Sequence, residues 1–201
     1  KRRGSKFYSI KMKEQNNIQD ILIKNPIIPV VTFNAMDEIE PTIHKILNNN
    51  VNCIEITLRT NISVDAIKYV KDNYYDKLDI GIGTVRNEEE AILSQKLEVD
   101  FIVSPGITKK LNKKLKETKI PFIYGVCNPS QIMLGMEMNH KFFKFFPANL
   151  FGGINALKTY FQLFPDIKFC PTGGINQENY NEYLKLENVI SVGGSWVTND
   201  S

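Results

Sequence analysis

IIPVVTFNAMDEIEPTIHKILNNNVNCIEITLRT, residues 27–60, decides the fold. It opens on a run of β-branched and aromatic residues and passes through a longer stretch whose apolar positions recur at helical spacing. It closes on a second β-branched run, CIEITL. A short strand, a helix and another short strand make the unit of a parallel sheet, because parallel neighbours need a crossover that returns the chain to the same edge.

Outward from that stretch the rhythm repeats to the end of the chain. Strand-like runs are read at Ile27–Phe33, Cys53–Leu58, Asp79–Thr84, Phe101–Ser104, Phe122–Val126, Phe142–Phe146, Lys168–Pro171 and Val189–Val192. Eight parallel strands alternating with helices favour an α/β fold closed as a (β/α)8 TIM barrel. Helix starts are read at Asp37, Asn87 and Asn176, whose side-chain oxygens can cap free amides. The last pair is incomplete, since the sequence ends at Ser201 with no residues for an eighth helix. The barrel wall is therefore expected to be open between the last and first strands. Upstream, NNIQDILIK at 16–24 reads as a short helix over the barrel's N-terminal mouth. Residues 1–25 are taken as a leader containing that helix, and 26–201 as the barrel domain.

The 201 residues, 42% hydrophobic and 23% charged, have the composition of an ordinary globular protein with enough apolar side chains for one core. The net charge of +3 comes from Lys1, Arg2, Arg3, Lys6, Lys11 and Lys13, which precede the first acidic residue. Beyond them, nineteen basic residues face twenty-two acidic ones, a net of −3 that argues against a nucleic-acid partner. The basic leader reads as an arm for nucleic acid or membrane, or more simply as a leftover of expression or a disordered tail. No run approaches the roughly 18 apolar residues that cross a bilayer, and no apolar signal core follows the basic residues, so the expected location is the cytoplasm. The lysines at 109, 110, 113, 114, 116 and 119 alternate with Leu111, Leu115 and Ile120 and read as a solvated helix face. Cys53, Cys127 and Cys170 lie in or beside apolar runs and read as reduced thiols. With only His44 and His140, a metal site has little to build on.

Functional groups of such a barrel gather where strands end in loops. In CIEITLRT the two-residue period puts Glu55 and Thr57 on one face, with Arg59 at the strand's end. An internal Glu55–Arg59 ion pair is the plainer alternative. In GIGTV, Thr84 stands at the same level, and the small glycines are read as room for a ligand. In HKFFKFFPA, Lys144 is flanked on both sides by phenylalanine pairs, and aromatic burial disfavours a charged amine and favours a nucleophilic one. A core lysine paired to a carboxylate, or one reaching out at a strand edge, is the alternative there. PTGGIN and VGGSW follow the seventh and eighth runs, where backbone amides at Gly173, Gly174, Gly193 and Gly194, with the Ser195 hydroxyl, can surround a phosphate.

At these residues the sequence resembles the 2-keto-3-deoxy-6-phosphogluconate aldolase and 4-hydroxy-2-oxoglutarate aldolase family. The likeness runs from Pro26 to Trp196 through IIPV at 27–30, EITLRT at 55–60, VDAI at 64–67, GIGTV at 81–85 and SPGIT at 104–108. It continues through LGM at 134–136, FKFFPA at 143–148, FCPTGGI at 169–175 and GGSW at 193–196. The resemblance implies a (β/α)8 barrel, a homotrimer, and class I aldol cleavage with neither metal nor cofactor, in the Entner–Doudoroff pathway. The substrate would be a phosphorylated 2-keto sugar acid and one product pyruvate. It implies Lys144 as the Schiff-base lysine and Glu55 as the proton-transferring carboxylate. It further implies Arg59 and Thr84 at the substrate carboxylate, and Phe146 beside the pyruvyl group. Pro105 would lie at the mouth, Thr172 beside the reacting portion, and Gly173, Gly174, Gly194 and Ser195 at the phosphate. The sequence departs from the family's pattern at Asn149, where an acidic residue is usual, and at Cys127 and Asn128, where small hydroxyl residues are common. The competing readings are another phosphate-binding barrel enzyme, of isomerase or thiamine-phosphate synthase type, and a non-catalytic sugar-phosphate-binding protein. Either would leave Lys144 and Glu55 without a role.

Overall fold

The computed structural model describes residues 17–198. Eight strands follow in chain order: β1 (Ile27–Val31), β2 (Cys53–Thr57), β3 (Asp79–Gly83), β4 (Phe101–Ser104), β5 (Phe122–Val126), β6 (Phe142–Phe145), β7 (Lys168–Pro171) and β8 (Val192–Gly194). Helix α1 (Ile18–Lys24) precedes them. After β1 to β7 in turn come α2 (Ile39–Asn48), α3 (Ser63–Tyr74), α4 (Glu88–Lys96), α5 (Lys109–Thr118), α6 (Pro129–Glu137), α7 (Gly153–Leu163) and α8 (Tyr180–Leu184). Among the described residues no helix follows β8.

The strands form one parallel sheet in the order β7-β6-β5-β4-β3-β2-β1-β8, which curls into a (β/α)8 barrel. The opening expected between the last and first strands is absent from the strand wall: Ile27, Ile28 and Pro29 pair with Val192, Gly193 and Gly194. The thinner junction is β7 to β8, joined by the single bridges Phe169↔Val189 and Thr172↔Gly193. The eighth strand sits later than the Val189–Val192 reading because pairing with β1, a tertiary effect, recruits two glycines that local propensity places in a turn.

Asn87 caps α4, its side chain accepting from the Glu90 amide. Asp37 does not cap α2, because Met36–Glu38 forms a 3-10 turn and the helix starts only at Ile39. Instead Glu38 Oε2 accepts the Asn34 amide at 2.8 Å and closes that turn. Asn176 accepts from the amides of Glu178 at 3.0 Å and Asn179 at 3.1 Å, one turn ahead of α8.

Alternation along the strands divides the apolar residues between two places. Ile54, Ile56, Ile80, Ile82, Phe143, Phe145 and Phe169 face outward and are covered by the helices. Ile28, Cys53, Phe101, Val103, Ile123 and Cys170 fill the barrel's lower interior together with Ile21 and Leu22 of α1. Helix α1 thus closes the N-terminal mouth. Lys24 Nζ at 2.7 Å and Asn25 Nδ2 at 3.1 Å both donate to Asp79 Oδ2 and pin it there. With the lower interior filled, the cavity that reaches the barrel's inward-facing polar residues opens at the C-terminal end.

The lysine-rich helix α5 buries Leu111 and Leu115 and leaves Lys109, Lys110, Lys113 and Lys116 exposed, the solvated face its spacing describes. Cys53, Cys127 and Cys170 are all free thiols. Burial pushes the Cys170 thiol up to about 11 and holds Cys53 well above its ordinary value, so both stay protonated and unreactive. The six basic leader residues lie outside the described residues. No helix among the described residues is long and apolar enough to cross a membrane.

Candidate active site

Glu55 and Lys144 come from strands far apart in sequence and meet inside the barrel. On β2 the alternation sends Ile54 and Ile56 outward and Cys53, Glu55 and Thr57 inward. On β6 it sends Phe143 and Phe145 outward and Lys144 inward. Both charged groups are buried, at 4% and 5% exposure, so a nearby counter-charge is obligatory. Each is the other's: Lys144 Nζ donates to Glu55 Oε1 at 3.1 Å and Oε2 at 3.3 Å.

Two details differ from the sequence reading, one because a strand has two faces and one because side chains of neighbouring strands fill the barrel. The amine is not caged by four phenyl rings, since Phe143 packs near Phe169 and Phe145 lies edge-on to Tyr160 on the outer face. Of the flanking rings, Phe146 is the one that meets the amine, 5.4 Å from its centroid to Nζ. Nor do the glycines of β3 leave room for a ligand. A Cβ on Gly81 would run into the Phe101 ring, and one on Gly83 into the Glu55 carboxylate, so protein atoms already fill both spaces.

Arg59 does not pair with Glu55. Its Nε donates to Thr84 Oγ1 at 3.1 Å, which turns the guanidinium over the rim of the barrel. The neighbouring Thr60 hydroxyl donates to the Phe33 carbonyl at 2.6 Å and ties this loop to the end of β1. Thr84 holds a left-handed backbone, φ 64°, costly for a β-branched residue and a frequent mark of functional sites.

A cavity of 660 Å³ opens above the pair. Lys144, Arg59, Phe146, Thr172, Gly173, Gly174, Gly194 and Ser195 line it. Glu55 sits behind Lys144, and Thr84 reaches the rim through Arg59. Pro105 is not among the lining residues, its carbonyl being packed against Gly125. Gly173 and Gly174 have φ 97° and 73°, a conformation that side chains with a Cβ rarely adopt. The atypical Asn128 is an N-cap of α6, accepting from the Gln131 amide at 3.0 Å. Asn149 braces the glycine turn, its amide donating to the Gly173 carbonyl at 3.1 Å.

The sequence reading missed Thr32, Phe33, Glu38, Thr42 and Thr198 in the lining. Thr32 carried a signal, a hydroxyl following an apolar strand. Thr42 and Thr198 carried none, because a helix and a turn bring them in from outside the sheet. Among the described residues no group of three or more His, Cys, Asp or Glu is placed to hold a metal ion.

An inward lysine bonded to an inward carboxylate, at the open end of a (β/α)8 barrel with a glycine turn after β7 and glycines at the end of β8, defines a Schiff-base lyase of the class I aldolase type. The chain belongs to the KDPG and KHG aldolase family, which it matches over residues 18–201. It is 38% identical to the 2-dehydro-3-deoxy-phosphogluconate aldolase of Dickeya dadantii, over 91% of this chain and 85% of that one. It is 37% identical to the KHG/KDPG aldolase of Escherichia coli over the same shares. Among solved structures it superposes with TM-score 0.87 and 37% identity on KDPG aldolase from Legionella pneumophila, covering 91% of this chain and 88% of that one. That structure holds pyruvate captured at low pH as a covalent carbinolamine intermediate.

Proposed function

We propose that the chain cleaves 2-keto-3-deoxy-6-phosphogluconate to pyruvate and glyceraldehyde 3-phosphate, through an imine on Lys144. The observation that carries this reading is the buried Lys144–Glu55 contact, 3.1 Å, at the floor of the cavity. Glu55 takes a proton from Nζ, and the free amine adds to the C2 ketone to give a carbinolamine. A proton returned to the departing hydroxyl releases water and leaves an iminium. The C3–C4 bond then breaks as the C4 hydroxyl loses its proton. Its electron pair moves into the iminium to form an enamine, which is protonated at C3 and hydrolysed to pyruvate. The role of Glu55 is supported by its reach to Nζ; Glu38, which lines the cavity, is turned to the Asn34 amide.

Arg59 and Thr84 are assigned to the substrate carboxylate, supported by their mutual hydrogen bond at the rim. The amides and hydroxyl of Gly173, Gly174, Gly194 and Ser195 are assigned to the phosphate, supported by their place at the C-terminal ends of β7 and β8. Phe146 packs beside the pyruvyl group and Thr172 beside the reacting carbons, while Pro105 supports the mouth through β5. 4-Hydroxy-2-oxoglutarate has the keto and hydroxyl groups the chemistry needs but no phosphate, and is the slower substrate. A homotrimer working in the cytoplasm completes the proposal, in line with the family resemblance. The isomerase, synthase and non-catalytic readings give the Lys144–Glu55 pair nothing to do. The test is a coupled assay of pyruvate release from a panel of phosphorylated and unphosphorylated 2-keto acids. Fastest turnover with the six-carbon phosphorylated acid supports the proposal, and no pyruvate from any of them refutes it.

A further inference from the structure

Thr32 and Thr57 form a second polar pair at the mouth, outside the lysine, carboxylate and phosphate groups assigned above. Their hydroxyl oxygens lie 2.7 Å apart. Thr57 follows Glu55 by two residues on the inward face of β2 and is wholly buried. Thr32 follows β1, is half-buried and lines the cavity that holds Lys144.

The direction of this hydrogen bond follows from proton counting. Each hydroxyl has one proton to donate, and a buried donor needs an acceptor. Among the described residues, the hydroxyl of Thr57 has Thr32 as its hydrogen-bond partner and no other. Thr57 therefore donates and Thr32 accepts. The proton of Thr32 is left for the cavity, so Thr32 presents a fixed donor to whatever occupies it.

The strand order says what that occupant is. Around the mouth, β7 leads into the Gly173–Gly174 turn, β8 ends on Gly194 with Ser195 next, β1 leads to Thr32, and β2 leads to Arg59. A substrate with its phosphate at Gly173, Gly174, Gly194 and Ser195 and its carboxylate at Arg59 passes the end of β1 with its middle carbons. On a sugar acid those carbons bear secondary hydroxyls, which accept from Thr32. We propose that Thr32 determines specificity by donating to a chain hydroxyl of the substrate between the cleaved bond and the phosphate, and that Thr57 positions it. The inference rests on the aldolase reading above and names a further contact within it.

The variants are Thr32→Val, Thr32→Ser, Thr57→Val, Thr57→Ser and the double Thr32→Val/Thr57→Val. For 2-keto-3-deoxy-6-phosphogluconate, Thr32→Val should lower kcat/KM about tenfold, the upper worth of a neutral hydrogen bond, and Thr32→Ser should restore most of it. Thr57→Val should lower it less, Thr57→Ser should recover it, and the double variant should match Thr32→Val alone, as expected of residues acting in one line. Pyruvate has no chain hydroxyl, so borohydride trapping of pyruvate should proceed in Thr32→Val within about a factor of two of the unmodified rate. Should Thr32→Val misfold, Thr32→Ala against Thr32→Ser reads the same difference. The proposal is overturned if Thr32→Val keeps its kcat/KM, or if trapping falls in the same proportion as cleavage. If the unmodified protein traps no pyruvate at all, the aldolase reading fails and this inference falls with it.

Discussion

Gly83→Ala is the smallest change that should silence the site while leaving Lys144 and Glu55 in the sequence. A Cβ built there lies 2.8 Å from Glu55 Cγ and 2.9 Å from Cδ, and closer still to Oε1, where ordinary contacts begin near 3.4 Å. The obstacle is a buried carboxylate held by Lys144, so either Glu55 leaves Lys144 or β3 shifts. Overpacking of this kind costs about 1–3 kcal/mol. For a chain of this size, that lowers the thermal midpoint by roughly 2–12 °C. Displacing the proton-transfer group should slow exchange of the pyruvate methyl protons by about 10²–10⁴-fold, the scale expected of Glu55→Gln. The control is Gly81→Ala on the same strand, whose Cβ meets the Phe101 ring instead, at 2.6 Å from Cε1. Deuterium exchange into pyruvate, read by NMR beside melting curves, separates the two. The expected result is similar destabilisation in both variants with lost exchange only in Gly83→Ala. Unchanged exchange in Gly83→Ala would refute the claim that Glu55, held where it is, moves the protons.

Two further outcomes are expected. Ser195→Ala should raise KM for a phosphorylated substrate roughly tenfold or more, as loss of a hydrogen bond to a charged group does, and leave unphosphorylated 2-keto acids unaffected; an equal effect on both in steady-state kinetics would remove Ser195 from the phosphate site. His140 packs edge-on to Tyr124, and its Nε2 lies 2.8 Å from Asn112 Oδ1, which also accepts from Tyr124 at 2.9 Å. Burial, reinforced by Lys116, lowers the His140 pKa from 6.5 to about 4. The folded state therefore holds this imidazole neutral, and its contribution to stability is complete above pH 6.5 and lost as pH falls toward 4. Melting curves over that window should show a shallower pH dependence for His140→Gln than for the unmodified protein, and parallel curves would contradict the assignment.

The fold was legible because hydrophobic period is a local property. Runs such as Phe101–Ser104, Phe122–Val126 and Lys168–Pro171 match the observed strands residue for residue. Where the reading failed, partners distant in sequence decided the outcome. β8 slid onto its glycines to pair with β1, and the β3 glycines were emptied for Phe101 and Glu55 rather than for a ligand. Lys144 was conspicuous for its phenylalanine neighbours, yet two of them point away and the partner that matters is 89 residues earlier. Glu55 itself stood out as an acid in an apolar strand, but nothing local could choose between Arg59 and Lys144 as its counter-charge. Thr32 was passed over because a hydroxyl at the end of an apolar strand, beside valines, is also ordinary strand composition; its place in the cavity wall and its 2.7 Å contact with Thr57 set it apart.

The central claim is covalent chemistry at one amine, and borohydride reduction in the presence of pyruvate tests it most directly. An imine on Lys144 would be fixed as a stable secondary amine, adding one pyruvate-derived mass per chain, abolishing activity and mapping to the FKFFPA peptide. Lys144→Arg, permanently charged and unable to form the imine, should take up no label and cleave no substrate. A label found on an exposed lysine such as Lys113 instead, or aldol cleavage surviving in Lys144→Arg, would contradict the account.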